Sequence, residues 1–256
     1  MTGRIRWRWG LAIVAGAMLL ARAPAVAQSG GGEGFLFRES GASVTLFGGW
    51  NVPMAGGDLF RYATSDFTLA RADFRAPTLG FDLGFAVGPR TELVVGLMPA
   101  SARVASEYRD WVDADDRPIE QTTAFLRAPL TATVRYYLAD RGRAIGSTAW
   151  IPAKVVPFVG AGAGLTRYRF EQVGDFVDFR TDPPDVLPDR LTSTGWAPVV
   201  QASGGVQLNL STRFLLTTEV RYLRGSVDAS RPERDFVGYR LDLSGLTTLV
   251  GFTLRL

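Results

Sequence analysis

Between Trp196 and Leu210, the apolar residues Trp196, Pro198, Val200, Ala202, Val206, Leu208 and Leu210 alternate with Gln201, Ser203, Gln207 and Asn209. Period-two patterning places the two sets on opposite faces of a strand. Similar runs recur down the chain, and in several of them the polar set carries charge. A sheet with one charged and one greasy face closes in two ways. It hides the apolar face from water, or it turns that face outward toward lipid.

Residues 1 to 27 favour the second way. Arg4, Arg6 and Arg8 precede an apolar stretch from Gly10 to Ala21, and Ala25-Val26-Ala27 gives a small-residue cleavage pattern. This reads as a cleaved secretory signal peptide, since the apolar stretch is short for a membrane-spanning helix. Cleavage removes Arg4, Arg6, Arg8 and Arg22 and no acid, so the 28 basic residues of the chain fall to 24 against 25 acidic. The net charge of +3 is therefore an export-signal effect, and no nucleic-acid partner is expected. The absence of cysteine excludes a disulfide framework and a lipid-modified amino-terminal cysteine. No later apolar run approaches helix-spanning length.

After a glycine-rich lead-in over 28–41, expected to be flexible, residues 42–256 form one domain of all-β class. Eight strands are expected near 42–51, 75–87, 91–106, 122–138, 155–171, 194–210, 213–227 and 238–256. The connections at 88–90 and 211–212 are tight, whereas 52–74, 107–121, 172–193 and 228–237 are long and polar. Short turns on one side and long loops on the other suit an eight-stranded antiparallel up-and-down transmembrane β-barrel with both ends on the turn side. The 139–154 connection is too long for its place.

Face assignments put Leu130, Ala132, Val134 and Tyr136 opposite Arg127, Thr131, Thr133 and Arg135, and Phe214, Leu216, Val220 and Tyr222 opposite Thr217, Glu219 and Arg221. Leu79, Phe81, Leu83 and Phe85 oppose Asp82, with Gly80 and Gly84 beside it. Phe158, Tyr168 and Phe170 oppose Arg167 and Arg169. Two aromatic girdles are expected, from Trp50, Tyr108, Trp196, Tyr222 and Tyr239 toward the loops and Phe85, Tyr136, Phe158, Phe214 and Phe252 toward the turns. The charged face then lines the lumen. Asp82, Glu92, Arg127, Arg135, Arg167, Arg169, Glu219 and Arg221 are read as a structural ion-paired network, because eight strands leave space for little more than side chains. Pro129 or Pro198 in a strand interior argues for a bulge or an interrupted ladder there.

The segments Val44 to Pro53, Val134 to Leu138 and Pro157 to Leu165, with the alternating terminal strand, resemble the small eight-stranded outer-membrane β-barrel family that contains the OmpA transmembrane domain, OmpX and OmpW. The resemblance implies residence in the cell outer membrane, lipid partners including lipopolysaccharide, delivery by the barrel-insertion machinery and a monomeric state. The chain departs from it by closing on Leu256, where the family leads one to expect an aromatic residue. No peptidoglycan-binding domain is expected beyond the barrel.

Histidine is absent, which removes the proton shuttle of Ser/His/acid hydrolases and of the acyl-transfer and protease barrels of this size. No enzyme activity, catalytic residue, cofactor or metal is expected. Gly160, Gly162 and Gly164 are followed by no helix, so they read as a glycine-rich strand, not a nucleotide loop. The acids at 110, 113, 115 and 116 and at 175, 178, 182, 185 and 189 lack EF-hand spacing and read as solvated loop charge. The expected role is structural and surface-interactive, with a non-conducting lumen. One alternative is OmpW-like passage of small hydrophobic molecules through an apolar upper lumen near Met98, Ala100, Ala161 and Ala163. The other is a secreted soluble ligand-binding barrel.

Overall fold

The computed structural model describes residues 35–113, 115–146, 149–178, 185–228 and 238–256. The expected signal peptide and residues 28–34 of the lead-in lie outside them. The principal strands are β1 (Ala42–Pro53), β2 (Ala76–Gly88), β3 (Thr91–Leu97), β4 (Ala100–Val112), β5 (Pro118–Tyr137), β8 (Val155–Asp178), β9 (Asp185–Asn209), β10 (Phe214–Arg224) and β13 (Gly245–Arg255). All pairings are antiparallel, and β1 hydrogen-bonds to both β13 and β2, which closes the ring. β3 and β4 are two halves of one barrel strand, so the barrel has eight. Both ends of the barrel lie on the turn side, where Ser43 pairs with Arg255 and the Ser40 hydroxyl donates to the Leu256 carbonyl.

The interruption between β3 and β4 lies across from Pro129. On that edge the ladder of β5 passes from Leu130, paired with Leu97, to Arg127, paired with Ala100. A proline lacks the N–H that a ladder needs, and Pro99 occupies the gap. On its other edge β5 pairs with β8 straight through Pro129. The break at Pro129 is the interrupted ladder expected of a proline in a strand, and at Pro198 no bulge forms. Pro198 pairs with Leu165 in an unbroken register and lies beyond the last β10 partner, Val200, so its missing N–H costs no ladder bond.

Two of the expected loops are largely strand. β8 and β9 run 24 and 25 residues and pair from Val155–Leu208 to Asp178–Asp185. β4 reaches Val112, and β5 starts at Pro118. Polar residues at these levels disguise the strands. The sheet continues because Val173, Phe176, Val177, Val186 and Leu191 suit it, and all but Val173 pack on the core described next.

The first long connection contains helix α1 (Gly57–Asp66). No side chain caps its start; instead the Gly56 N–H donates to Asp242 of the short strand β12 (Arg240–Asp242), which pairs with β11 (Ser226–Asp228). Packing holds it. Leu59, Phe60 and Ala63 share a buried face, and Phe60 meets Phe74, Phe125 and Phe170 edge-on at 5.0 to 5.6 Å between ring centres. With Phe67, Tyr108, Ile119, Tyr168, Leu241 and Leu243 they form the largest apolar core, which plugs the loop end of the barrel.

On the turn side the 139–154 connection is a hairpin of β6 (Gly142–Ile145) and β7 (Ala149–Pro152). Its Trp150 pairs with Leu36, the amide and carbonyl of each bonding the other at 2.7 and 2.9 Å. The end of the lead-in is thus held in place. Trp150 is buried beneath the Arg255 guanidinium, 5.2 Å from its ring, so the length of this connection provides a floor for the barrel.

Candidate functional site

Six of the eight lumen charges read from the sequence are buried inside: Asp82, Glu92, Arg127, Arg135, Glu219 and Arg221, each 5% exposed or less. Five of them form one network. The Arg135 guanidinium lies 3.1 Å from Glu92, 3.0 Å from Glu219 and 3.5 Å from Asp82. Arg221 reaches Glu219 at 2.9 Å and pairs with both oxygens of Asp82. Three carboxylates against two guanidinium groups leave one negative charge to satisfy, and neutral donors help: the Tyr137 phenol donates to Glu92 at 2.7 Å and the Ser43 hydroxyl at 2.9 Å. Arg135 also stacks over Phe158 at 4.3 Å and Arg221 over Phe47 at 5.0 Å.

Two glycines make room for these groups. A Cβ at Gly84 would come within 2.3 Å of a Glu92 oxygen, and one at Gly96 within 2.2 Å of an Asp82 oxygen. Arg127 stands apart, toward the loops, with neutral partners: it donates to Asn51 Oδ1 at 2.7 Å and to the Leu243 carbonyl. Asn51 in turn donates to Thr247 at 2.7 Å. Thr133 and Gln201, and Thr45, Thr217 and Thr253, add further hydrogen bonds between strands along the inner wall.

Arg167 and Arg169 correct the sequence reading, because both are exposed on the outer face. Residues paired across a ladder share a face. Arg127 pairs with Tyr168, so an inward Arg127 requires an inward Tyr168 and turns Arg167 and Arg169 outward. The aromatics assigned to lipid here fill the barrel instead: Tyr168 and Phe170 belong to the plug, and Phe158 packs beneath Arg135. Tyr108 and Tyr239 likewise leave the expected girdle for the plug. Trp50, Trp196, Phe85, Tyr136, Phe214 and Phe252 do face outward and exposed.

The proposed upper-lumen residues divide as well. Met98 and Ala100 are buried inside, whereas Ala161 and Ala163 are exposed outside. Sequence reasoning missed the plug, whose signal was the helical spacing of Leu59, Phe60 and Ala63 within an apparently polar loop. It also missed the Tyr137 and Ser43 donors, which only strand pairing could reveal. Near the plug, burial and the neighbouring Tyr108 and Asp66 push the Tyr62 phenol well above its ordinary range. Among the described residues no group of three or more acidic side chains is placed to hold a metal ion.

Outside, the outward residues are Val44, Leu46, Gly48, Trp50 and Val52 on β1, Leu79 to Val87 at every second position on β2, and Leu130 to Tyr136 on β5. β8 contributes Val155 to Leu165, β9 Trp196 to Leu210 and β13 Leu246 to Leu254, again at alternate positions. None carries a charge. An apolar belt around a charged, paired interior defines a transmembrane β-barrel, because a water-soluble barrel requires the reverse.

No family model matches the sequence, and no curated protein matches it. Among solved structures, the chain is similar to Neisserial surface protein A, at 11% identity and a TM-score of 0.45, covering 85% of this chain and 98% of that one. It is similar to the outer membrane protein OprG from Pseudomonas aeruginosa at 14% identity and 0.44, covering 86% and 99%. For Ail, the attachment invasion locus protein of Yersinia pestis, the values are 13% and 0.39, covering 86% and 100%.

Proposed function

We propose that this protein is an outer-membrane barrel whose lumen is closed and whose role is structural and surface-interactive. The carrying observation is obstruction at three successive levels: the Trp150 floor, the Arg135-centred network and the α1 plug. The export signal read in the sequence supports the location, and the long β8–β9 hairpin supports display beyond the lipid. The uninterrupted apolar belt supports a monomer. Catalysis has no part in the proposal, since the chain contains neither histidine nor cysteine.

Planar-bilayer recording of the refolded protein tests closure. The expected result is a flat baseline, and regular ohmic steps would overturn it. A second reading, passage of small apolar molecules, draws on the buried Phe47, Met98 and Leu249 cluster inside the barrel. It requires α1 to leave its seat. A disulfide engineered to pin α1 would then abolish uptake of a hydrophobic probe in cells, whereas the closed-barrel proposal expects uptake with and without the pin to be equal.

A further inference from the structure

Loopward of the belt, the inner wall of β4, β5, β8 and β9 mixes aromatic and neutral polar side chains. Ala102, Phe125, Phe170 and Ser193 pair across the ladders in one row, and Val104, Thr123, Gln172 and Leu191 in the next. Ser106 and Gln121 pair in a third, with Tyr108 one step beyond on β4. Helix α1 and the turn after it close over these rows. Phe60 seats on Phe125 and Phe170 at 5.1 and 5.6 Å, and Phe67 seats on Tyr108 at 4.5 Å. Ser106, Gln121, Gln172 and Ser193 lie between or beside these seats, and all four are buried.

The lid does not satisfy what it covers. Ser106 Oγ, both amide atoms of Gln121, Gln172 Oε1 and Ser193 Oγ lack a hydrogen-bond partner among the described residues; Gln172 Nε2 alone is used, donating to Thr123 at 3.3 Å. Buried polar groups left unpaired cost free energy that a ligand recovers. The entry to α1 is strained as well. Buried Ala55 has a φ of 46°, in the left-handed region that a side chain disfavours, and Gly57 follows at 82°. An apolar cover over unpaired polar groups, entered through a strained turn, is poised to lift.

The chemistry beneath it selects the ligand. None of the buried side chains in these rows is charged, so an ion finds no counter-charge. An apolar molecule would leave the amides and hydroxyls as unpaired as the lid does. The strand backbones are paired with one another here, so this face offers a peptide no backbone partners. Neighbouring hydroxyls of a sugar match a primary amide, one accepting from Nε2 and the other donating to Oε1, and the rings of Phe125, Phe170 and Tyr108 suit the C–H face of a pyranose.

We infer that the loop end of the barrel holds a covered pocket for a neutral sugar unit, bound by Gln121, Gln172, Ser106 and Ser193 when α1 lifts. The Arg135 network and the Trp150 floor lie below it, so entry of the ligand leaves the lumen shut.

The chain contains no cysteine, so single thiols introduced into the refolded protein report the opening. Ser193→Cys, beneath the lid, is expected to react with a water-soluble maleimide, whereas Thr217→Cys, buried on the turn side of the network, is not. Adding Gln121→Leu and Gln172→Leu should slow the Ser193→Cys reaction roughly ten-fold, since apolar groups of similar shape suit an apolar lid. Equal rates at the two thiols, or no slowing by the leucines, would overturn the lid. Binding is read by calorimetry with maltotriose, cellotriose and chitotriose. At least one should bind wild type, speed tryptic cleavage at Arg61 of α1, and bind Phe60→Ser, whose lid has lost its seat, on the order of ten-fold more tightly. The double leucine variant should lose the binding. The inference fails if none of the three sugars binds wild type or Phe60→Ser, if binding survives the leucines, if saturation leaves cleavage at Arg61 unchanged, or if Phe60→Ser binds no more tightly than wild type. Should Phe60→Ser not refold, wild-type cleavage and the leucine variant decide. Binding of a trialanine peptide in place of the sugars would make this a polypeptide site and overturn the assignment.

Discussion

At the scale of single residues, the buried charges are interdependent. Arg135 touches all three carboxylates of the network, so no acid keeps its full complement when Arg135 is lost. Arg135→Met is expected to destabilise the barrel by about 3 to 5 kcal/mol, the usual cost of leaving buried charges without their partner. Urea unfolding in lipid vesicles, followed by tryptophan fluorescence, checks this; a loss under about 1 kcal/mol would mean that the charges are hydrated or otherwise paired. A milder case lies in the β4–β5 turn. The Asp113 carboxylate accepts the Arg117 and Asp115 amides at 2.8 and 2.9 Å, and these bonds hold it below the ordinary carboxylate range. Because the folded value is the lower one, its contribution is present above the ordinary range and fades as pH falls through the folded value. The protection factors of the Asp115 and Arg117 amides, measured against the unstructured exchange rate at each pH, should fall on acidification in wild type and stay independent of pH in Asp113→Asn. Equal protection profiles in the two proteins would refute that role.

At the scale of elements, strands with one wet and one greasy face were legible in the sequence, since one residue's face sets that of every second neighbour. β5, β10 and the lower part of β9 follow the reading, and so does the inward placement of Gln201 and Gln207. β8 does not. Its aromatic set read as lipid-facing is the inner one throughout, Phe158 beneath Arg135 of the ion network and Tyr168 and Phe170 in the plug. A helix hidden in a loop supplies that plug, and nothing in β8 itself announces it. The element can be tested through Phe60, whose ring meets three other buried rings. Phe60→Ala should cost about 3 to 5 kcal/mol if the plug unfolds together with the barrel. Should α1 instead melt alone, protease would cut near residues 57–66 while the global midpoint stays put. Either result locates the plug in the folding hierarchy, and only wild-type behaviour in both measurements would contradict its packing.

At the scale of the whole molecule, charge is sorted by radius. Every network carboxylate and guanidinium lies within the ring, and outward charge begins where the apolar belt stops. Sequence alone offered two insides for the alternation around Val206; the closed register decides between them. Gln207 is buried opposite Thr217 and Val156, so Val206 points outward between Thr218 and Pro157, near mid-belt. Val206→Arg should therefore cost about 2 to 4 kcal/mol in a bilayer. The same substitution measured in detergent micelles should cost less, since a micelle deforms around the guanidinium more easily than a bilayer of fixed thickness. The comparison separates a lipid-facing position from a merely crowded one: a crowded site would lose equal stability in both media, and a water-facing site would lose almost none in either. A bilayer penalty that shrinks in micelles is the outcome required of a barrel whose outside is its apolar side.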